Sequence, residues 1–313
     1  MELGIAIVSY NTRKLTADCL ASVYRELETH DMCGQVWVVD NASTDGSAEM
    51  IEGRFPQAEL IANRENVGFA RATNMAIARM KTSGGLPEYV LLLNPDTRVQ
   101  PDALSRLVTF LRNHPRVGVV GPQLIYGDGT FQHSAFHFPT LCMAFLDLCP
   151  LHNQLLDSTL NGRYPKRLYE TGEPFPIDHP LGAAMMARRE TIQQVGLLDA
   201  NFFMYCEEID WCKRIKKAGW KIYCLPTAKI VHLAGQSTRQ LAEEMFVALW
   251  RSRYRLFRKH YGRGYRIAMR IIVRLGLWYR MWQLKRKKQT EKISLEEIER
   301  KRAAYQRVLA LEM

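Results

Sequence analysis

The stretch that decides the fold is Leu91-Leu92-Leu93-Asn94-Pro95-Asp96. Its three leucines predict a buried strand, and the residues after them predict an acidic turn at the end of that strand. Open α/β sheets bind their ligands in a crevice at the strand ends. The stretch therefore predicts an α/β domain that delivers the carboxylate of Asp96 to such a crevice.

The same kind of motif occurs four times along the chain, and the stretch above is the third. The other three are Val8-Ser9-Tyr10-Asn11, Val38-Val39-Asp40-Asn41 and Glu207-Glu208-Ile209-Asp210. Acidic and polar groups that meet at one sheet edge suit a nucleotide, a divalent metal ion and a catalytic base. We therefore expect one crevice that combines these three tasks.

Strand-like and helical patterns alternate over the first 121 residues. The predicted strands are 4–9, 36–39, 58–62, 89–93 and 117–121. The predicted helices are 13–27, 68–80, 101–113 and a helix through 51 that Ser43 or Thr44 would cap. Such alternation predicts a mostly parallel sheet with helices on both faces. The alternation of strand and helix patterns weakens between residues 122 and 180, which we interpret as a variable or acceptor-side loop region. After it the sequence predicts a strand at 181–188, helices at 190–195 and 208–218, and a strand at 219–225.

The charge of the chain is unevenly distributed. The net charge of the 313 residues is +11, and residues 245–290 hold 14 Lys and Arg with no Asp or Glu. Because residues 291–313 carry five charges of each sign, residues 1–244 are left with a net charge of −3. We predict a catalytic domain over residues 1–240 and a basic helical extension over residues 241–313.

Composition also bears on location. The N-terminus carries Glu2 where a signal peptide would be basic, and no run of 18 uncharged apolar residues predicts a membrane span. The seven cysteines form no Cys-x-x-Cys pair, which favours reduced thiols in a cytoplasmic protein.

Asp40 follows an apolar strand and is the candidate for nucleobase recognition. A carboxylate can accept the ring N–H of uracil or thymine; guanine also offers such a donor, whereas adenine and cytosine do not. The alternative is that Asp40 only caps the next helix.

The segment from Asn66 to Asn74 opens a helix with Gly68, which would permit close approach of a ligand. Arg71 is placed to stack on a base or to face a diphosphate, unless it is simply a solvated helix residue. The segment is not a Gly-x-Gly-x-x-Gly fingerprint, so a hydride-transfer enzyme is disfavoured.

Asp96 is the candidate metal ligand. Mg²⁺ or Mn²⁺ needs only one or two carboxylates when a diphosphate supplies other oxygens. His232 ends a second apolar strand, 228–232, and an imidazole there would favour Mn²⁺, although a histidine at a strand end can equally be structural.

Three acids, Glu207, Glu208 and Asp210, begin a helix. The helix dipole stabilises acidic residues in the first turn of a helix, but three acids in four residues are more than the capping of a helix requires. One of them is therefore a candidate general base for an acceptor hydroxyl. Asp210 is off the face of Glu208 and is expected to pair with Arg214, four residues on.

Taken together, over about residues 3–240, these motifs resemble the inverting family 2 glycosyltransferases with the GT-A fold, in particular the bacterial rhamnosyltransferase-type branch. The resemblance implies that Asp40 binds the nucleobase, that Asn94-Pro95-Asp96 holds the metal with His232, and that the base lies in the Glu207 segment. It implies a nucleotide-sugar site formed by Ser9, Asn11, Asp40, Arg71, Asn74, Asp96 and Gly182. Gly182 would line the sugar and acceptor side, or belong to a plain packed strand, and residues 235–239 would form a loop over the diphosphate.

The sequence departs from the family pattern at two places. Asn94 replaces the first Asp of the metal motif, so Asp96 carries more of the metal's charge. The Glu-Asp pair before the helix is Glu207-Glu208 here, so Glu208 is expected to be the base, with Glu207 as its close rival.

The resemblance implies a single displacement that inverts the anomeric carbon, with no covalent enzyme intermediate. The expected donor is dTDP-L-rhamnose; the alternative is a UDP-hexose, UDP-N-acetylhexosamine or UDP-galactofuranose. A non-catalytic membrane-bound scaffold is a different class, which the retained acids argue against. A nucleotidyltransferase is disfavoured because residues 8–14 contain no glycine for a phosphate loop.

The basic extension places apolar residues at helical spacing, with Arg263, Arg266, Arg270 and Arg274 along one face. The apolar residues are Phe246, Leu249, Trp250, Tyr254, Phe257, Tyr261, Ile271, Ile272, Leu275, Trp278, Tyr279 and Trp282. Such a helix suits an anionic membrane surface, and thus a polyprenyl-diphosphate-linked acceptor at the inner face of the cytoplasmic membrane. One alternative is a helical pair that packs on the enzyme. Another is nucleic-acid binding, which is disfavoured because the rest of the chain already accounts for a nucleotide-sugar enzyme. Residues 295–311 predict a further amphipathic helix that would suit an oligomer contact.

Overall fold

The computed structural model describes residues 1–149, 153–233, 242–289 and 294–312. The expected loop at residues 235–239 lies outside the described residues. None of the seven cysteines, all of which lie in the described residues, takes part in a disulfide.

The first part of the chain confirms the predicted alternation. Its elements are β1 (Leu3–Ser9), α1 (Arg13–Thr29), β2 (Gly34–Asp40), α2 (Ser47–Arg54), β3 (Glu59–Ala62), α3 (Phe69–Thr82), β4 (Tyr89–Leu93), β5 (Thr97–Val99), α4 (Ala103–Asn113) and β6 (Val117–Ile125). The predicted cap of α2 is wrong, because Ser43 donates to Asp40 and the helix begins only after Gly46. Strand β5 was not expected, since three residues are too few to show a strand period.

The region where order was expected to weaken consists of short elements. They are β7 (Phe131–Gln132), β8 (Ala135–Phe136), α5 (Leu141–Leu148), α6 (Asn153–Leu156), a 3₁₀ turn (Thr159–Asn161), α7 (Lys166–Glu170), β9 (Phe175–Pro176) and β10 (His179–Pro180). A strand of only two residues shows no hydrophobic periodicity, which explains why the sequence did not predict β7, β8, β9 and β10.

The remaining elements are longer. They are β11 (Ala184–Arg188), α8 (Arg189–Val195), α9 (Glu207–Lys217), β12 (Lys221–His232), α10 (Ala242–His260), α11 (Arg263–Gln289) and α12 (Leu295–Leu309). The two late strands predicted from sequence are one strand, β12, whose pairing with β6 shifts register between Leu225 and Lys229. The shift spans Pro226, which lacks the N–H that a regular ladder needs.

The main sheet has the strand order β3-β2-β1-β4-β11-β6-β12-β5 within the described residues. Strands β1 to β4 run parallel, and every residue of β1 and β4 is buried. The sheet is mixed but mostly parallel, as predicted, and β11 lies antiparallel between β4 and β6. This reversed strand brings its first residues to the edge where β4 ends.

The chain forms two compact units. The first contains Met1–Phe136, Pro165–Phe203 and Glu207–Ser237; the second contains His137–Tyr164, Met204–Cys206 and Thr238–Met313. The second unit thus includes two segments that a single boundary after residue 240 assigns to the first domain. Among the described residues, no helix is both long enough and apolar enough to cross a bilayer.

Candidate active site

The polar ends of three neighbouring strands meet at one sheet edge of the first unit. In the register of the parallel pairs, Ser9 lies opposite Asp40, and Ile7 lies opposite Leu93, the last residue of β4. Asn94 and Asp96 therefore follow at the same edge. This confirms the expected convergence of the first three strand-end motifs.

Ser9 and Asn11 organise the loop after β1. The fully buried Ser9 hydroxyl lies 3.1 Å from the hydroxyls of Thr12 and Thr16. Asn11 donates its backbone N–H to Ser43 and accepts the N–H of Thr44 at 2.8 Å. Both predicted residues thus hold the strand-end loops in place.

Asp40 is buried at the end of β2 with both carboxylate oxygens in use. Oδ1 accepts the Ser43 hydroxyl at 2.6 Å, and Oδ2 accepts the Ser43 backbone N–H at 2.9 Å. These bonds fix the orientation of the carboxylate. Because a carboxylate has about four acceptor positions, Asp40 retains capacity for the ring N–H of a base.

Asn41 is a residue that the sequence reasoning missed. Its carboxamide oxygen accepts from Asn63 at 3.0 Å and from the Val67 N–H at 3.2 Å, while its amide donates to Asn66 at 3.0 Å. It thereby shapes the loop from β3 to α3. The recurrence of asparagines directly after the strands is the sequence signal that was available.

Gly68 allows two backbone segments of the protein to approach each other closely. It has a φ of +84°, and an added Cβ would stand 2.4 Å from the carbonyl oxygen of Phe203. The N–H of Phe69 donates to that same oxygen at 2.7 Å. The close approach expected of a ligand at Gly68 is, in the structure, the approach of the segment that precedes Glu207.

Arg71 and Asn74 on α3 hold that same segment. Arg71 donates from Nε to the carbonyl of Ala200 at 3.3 Å and is otherwise exposed. Asn74 donates to the Leu198 carbonyl at 2.8 Å and accepts the Leu198 N–H at 3.2 Å. Both groups of the Asn74 amide are thus used in supporting the loop.

Asp96 and His232 face each other across the sheet edge. Strand β12 pairs antiparallel with β5 so that His232 lies opposite Thr97, one residue after Asp96. The distance from His232 Nε2 to Asp96 Oδ1 is 3.6 Å, and both side chains are buried. Burial raises the pKa of Asp96 and lowers the pKa of His232, although each group opposes the shift of the other.

This pair fits a divalent metal ion. His232 Nδ1 lies 3.2 Å from Gln132 Oε1, an acceptor, which places the proton of the neutral ring on Nδ1 and leaves the Nε2 lone pair directed at Asp96. With bonds of about 2.1 Å, two donors to one ion lie at most about 4.2 Å apart, so 3.6 Å is compatible. Among the described residues no cluster of three or more His, Cys, Asp or Glu forms a metal site, so further ligands must come from elsewhere.

The acids of α9 lie beside the start of β11. The N–H of Asn94 donates to the Ala183 carbonyl at 2.9 Å. The neighbouring Gly182 faces Glu208, whose Cγ lies 3.4 Å from where a Cβ on the glycine would stand. The segment that leads into the antiparallel strand β11 therefore connects the turn at Asn94–Asp96 to Glu208.

Glu207 and Glu208 differ in environment. Glu207 is 6% exposed, and its Oε2 has no hydrogen-bond partner among the described residues. Burial, together with the adjacent charge of Glu208, raises the pKa of Glu207 well above its ordinary value. Burial therefore favours the neutral form of the Glu207 carboxyl.

The expected pair of Asp210 and Arg214 is confirmed. Arg214 Nε donates to the fully buried Asp210 at 2.9 Å, and its other nitrogens donate to the carbonyls of Val195 at 2.9 Å and Leu197 at 2.7 Å. The pair therefore has a structural role and anchors α9 to the end of α8.

Comparison with known proteins adds the family. A family model described as Glycosyl transferase family 2 matches residues 4–196. An N-acetylglucosaminyl-diphospho-decaprenol L-rhamnosyltransferase of Mycobacterium tuberculosis is 27% identical over 256 residues, which cover 77% of this chain and 80% of that protein. The dTDP-rhamnosyl transferase RfbF of Shigella flexneri is 22% identical over 233 residues, covering 74% of this chain and 69% of that protein.

Solved structures show the same fold. The mannosyltransferase PcManGT from Pyrobaculum calidifontis, in complex with GDP-Man and Mn²⁺, aligns with a TM-score of 0.58 at 16% identity, over 98% of this chain and 85% of that chain. GalNAc-T7 with UDP, GalNAc and Mn²⁺ aligns with a TM-score of 0.55 at 16% identity, over 74% and 43% of the respective chains.

Proposed function

The chain belongs to glycosyl transferase family 2, with the GT-A fold and its inverting chemistry, and on that premise we propose that it transfers L-rhamnose from dTDP-L-rhamnose to a hydroxyl group of a glycan or lipid-linked acceptor. The observation that carries the proposal is the single sheet edge that joins Asp40, the Asp96–His232 pair and Glu208. The two rhamnosyltransferase relatives support the choice of sugar.

Asp40 would recognise the base of the donor. Its carboxylate is held by Ser43 and retains acceptor capacity for the ring N–H of thymine. Uracil offers the same donor, so this site suits a UDP-hexose, UDP-N-acetylhexosamine or UDP-galactofuranose equally well. Those donors are the alternative for the same reaction.

Asp96 and His232 would hold Mn²⁺ or Mg²⁺, with the donor diphosphate supplying other oxygens. When bound, the ion would neutralise the negative charge that develops on the leaving diphosphate. The Mn²⁺ in the two aligned structures supports the use of a divalent ion by a protein of this fold. Gln132 would keep His232 oriented by its bond to Nδ1.

Glu208 would act as the general base. It would remove the proton of the acceptor hydroxyl as that oxygen attacks the anomeric carbon from the face opposite the diphosphate. Glu207 would stay neutral beside it, because its burial disfavours a second charge. Gly182 would leave room for the sugar next to the base.

The acceptor would be a polyprenyl-diphosphate-linked sugar in the assembly of a cell-surface polysaccharide. The relative from Mycobacterium tuberculosis, which is an N-acetylglucosaminyl-diphospho-decaprenol L-rhamnosyltransferase by name, supports this class. The enzyme would then work in the cytoplasm, with its acceptor in the inner face of the cytoplasmic membrane.

The first test is thermal stabilisation by dTDP, UDP, GDP and ADP, each with and without Mn²⁺. We expect the largest Mn²⁺-dependent shift with dTDP. Asp96→Asn should lose the Mn²⁺-dependent part, whereas Asp128→Asn, which changes an acid in an exposed turn, should keep it.

Transfer assays with dTDP-L-rhamnose and a prenyl-diphosphate-linked N-acetylglucosamine then test the reaction and its stereochemistry. A larger shift with UDP would move the assignment to the alternative donors. Well-folded protein that is stabilised by none of the four nucleotides would contradict the proposal.

A further inference from the structure

Helix α11 contributes one face to the core of the second unit. The buried side chains on this face are Met269, Val273, Leu277 and Leu284. Within the same unit α11 packs against α5 and α12, so closely at Gly276 that an added Cβ would stand 2.6 Å from Cβ of Leu148. This face of the helix is therefore fixed.

The opposite face of α11 exposes a row of large apolar side chains, which we call the exposed stripe. It consists of Ile267, Ile271, Leu275, Trp278 and Trp282, which are 53%, 52%, 63%, 66% and 44% exposed. At 3.6 residues per turn, this spacing confines them to a sector of about 80° over a length of about 23 Å. Single exposed apolar side chains are normal, but a continuous row marks an interaction surface.

Basic side chains border the exposed stripe. The exposed residues Arg263, Arg270 and Arg274 follow one edge of the exposed stripe. Each lies within about 60° of that edge, measured around the helix axis. Near its C-terminal end the Arg286 guanidinium stands over the Trp282 ring, 4.8 Å from the centroid. No Asp or Glu occurs between residues 245 and 290.

We infer that the exposed stripe lies in the interfacial layer of a bilayer that contains anionic lipids. An apolar row enters the boundary of the acyl chains while the bordering arginines meet anionic headgroups, which is how interfacial helices bind. This inference depends on the second unit alone and does not depend on which sugar is transferred.

The positive charge along the exposed stripe favours anionic lipid over a second copy of the chain as the binding partner. A symmetric contact through this face would bring two rows of arginines together, and the segment offers them no acid. The acids at the start of α12 are already engaged, since Glu296 and Glu297 pair with Arg300 and Lys301 of their own helix. Anionic lipid therefore matches the surface better.

Co-sedimentation of the full chain with vesicles tests the inference. We expect binding to vesicles of phosphatidylcholine and phosphatidylglycerol in equal parts, and little binding to phosphatidylcholine alone. The double variant Ile271→Glu/Leu275→Glu should reduce the affinity at least tenfold. Both positions are more than half exposed, so the variant should fold, which circular dichroism and the melting temperature would check.

Tyr126→Glu is the control, because it puts one glutamate at a 43% exposed large side chain in the first unit, away from the exposed stripe. It should bind the anionic vesicles as the parent chain does. Failure of the parent chain to bind, or unchanged binding by the double variant, would overturn the inference. A lipid-free dimer that the double variant converts to a monomer would also overturn it, in favour of a second copy. Transfer to a water-soluble acceptor should be unchanged in both variants, which separates this result from the test of the reaction.

Discussion

Gly182 lies directly against the side chain of Glu208. A Cβ at residue 182 would stand 3.4 Å from Cγ and 3.5 Å from Cδ of Glu208, which is ordinary van der Waals contact. A methyl group therefore just fits, whereas any larger side chain has to push the carboxylate aside. The glycine thus limits what can stand beside the proposed base.

The first prediction concerns this contact. Gly182→Ala should keep most activity, whereas Gly182→Val should lower kcat about 100-fold, because displacing a reacting group by about 1 Å has an effect of that order. Steady-state kinetics would measure both. Gly53→Val is the control, since nothing lies within 4 Å of its added Cβ, and it should leave kcat unchanged. Equal kcat for Gly182→Val and the parent chain would exclude the steric role.

The second prediction separates the two adjacent glutamates. Glu208→Gln should lower kcat by about 10²- to 10⁴-fold, the usual contribution of a general base, while nucleotide binding persists. Glu207→Gln should lose less than about tenfold, because glutamine resembles the neutral carboxyl that burial favours at this position. Measurement of kcat for both variants under the same conditions tests this assignment. A larger loss of kcat in Glu207→Gln than in Glu208→Gln would make Glu207 the base.

The third prediction is a pH dependence of stability. The pKa of Glu207 is raised above its ordinary value of 4.5, so the folded state holds a proton that the unfolded chain releases first. The contribution of Glu207 is fully present below pH 4.5 and is lost as pH rises through the raised value. Glu207→Gln has no such loss. Its melting temperature should match that of the parent chain below pH 4.5 and exceed it increasingly as the pH rises above that value. A difference independent of pH would count against the buried neutral carboxyl.

The fourth prediction compares two ion pairs of the same geometry. Asp210–Arg214 and Glu296–Arg300 are both i,i+4 pairs at 2.9 Å, but Asp210 is fully buried whereas Glu296 is 80% exposed. Asp210→Ala should cost about 3–5 kcal/mol in the free energy of unfolding, since it leaves a largely buried guanidinium without its counterion. Glu296→Ala should cost about 0.5 kcal/mol or less. Urea unfolding of both variants measures the difference, and similar losses would contradict the role of burial.

The sequence located each candidate residue but not all of their neighbours. Asp40 and Asp96 could be predicted at one edge because buried parallel strands place their ends together. At Gly68 the sequence predicts close approach of a ligand, whereas the structure shows close approach of the backbone of Phe203, which is 135 residues away in the chain. No local pattern reports a contact over such a separation.

The basic extension shows the same division. Helical spacing of the apolar residues was visible in α10 and α11 alike, but the structure buries Trp250, Tyr254 and Phe257 and exposes Leu275 and Trp278. Packing against neighbouring helices decides which apolar face is covered, and the periodicity of one helix holds no information about its neighbours.

By itself the sequence determined the α/β alternation, the acids at the strand ends and the separation of basic from acidic segments, because these follow from local hydrophobic period and charge. Only the tertiary structure decided that His232 faces Asp96 and that Gly182 touches Glu208. Both contacts arise from antiparallel strands, β12 against β5 and β11 against β4. A strand has the same side-chain alternation in either direction, so its orientation is fixed by pairing with distant partners and cannot be read from its own residues.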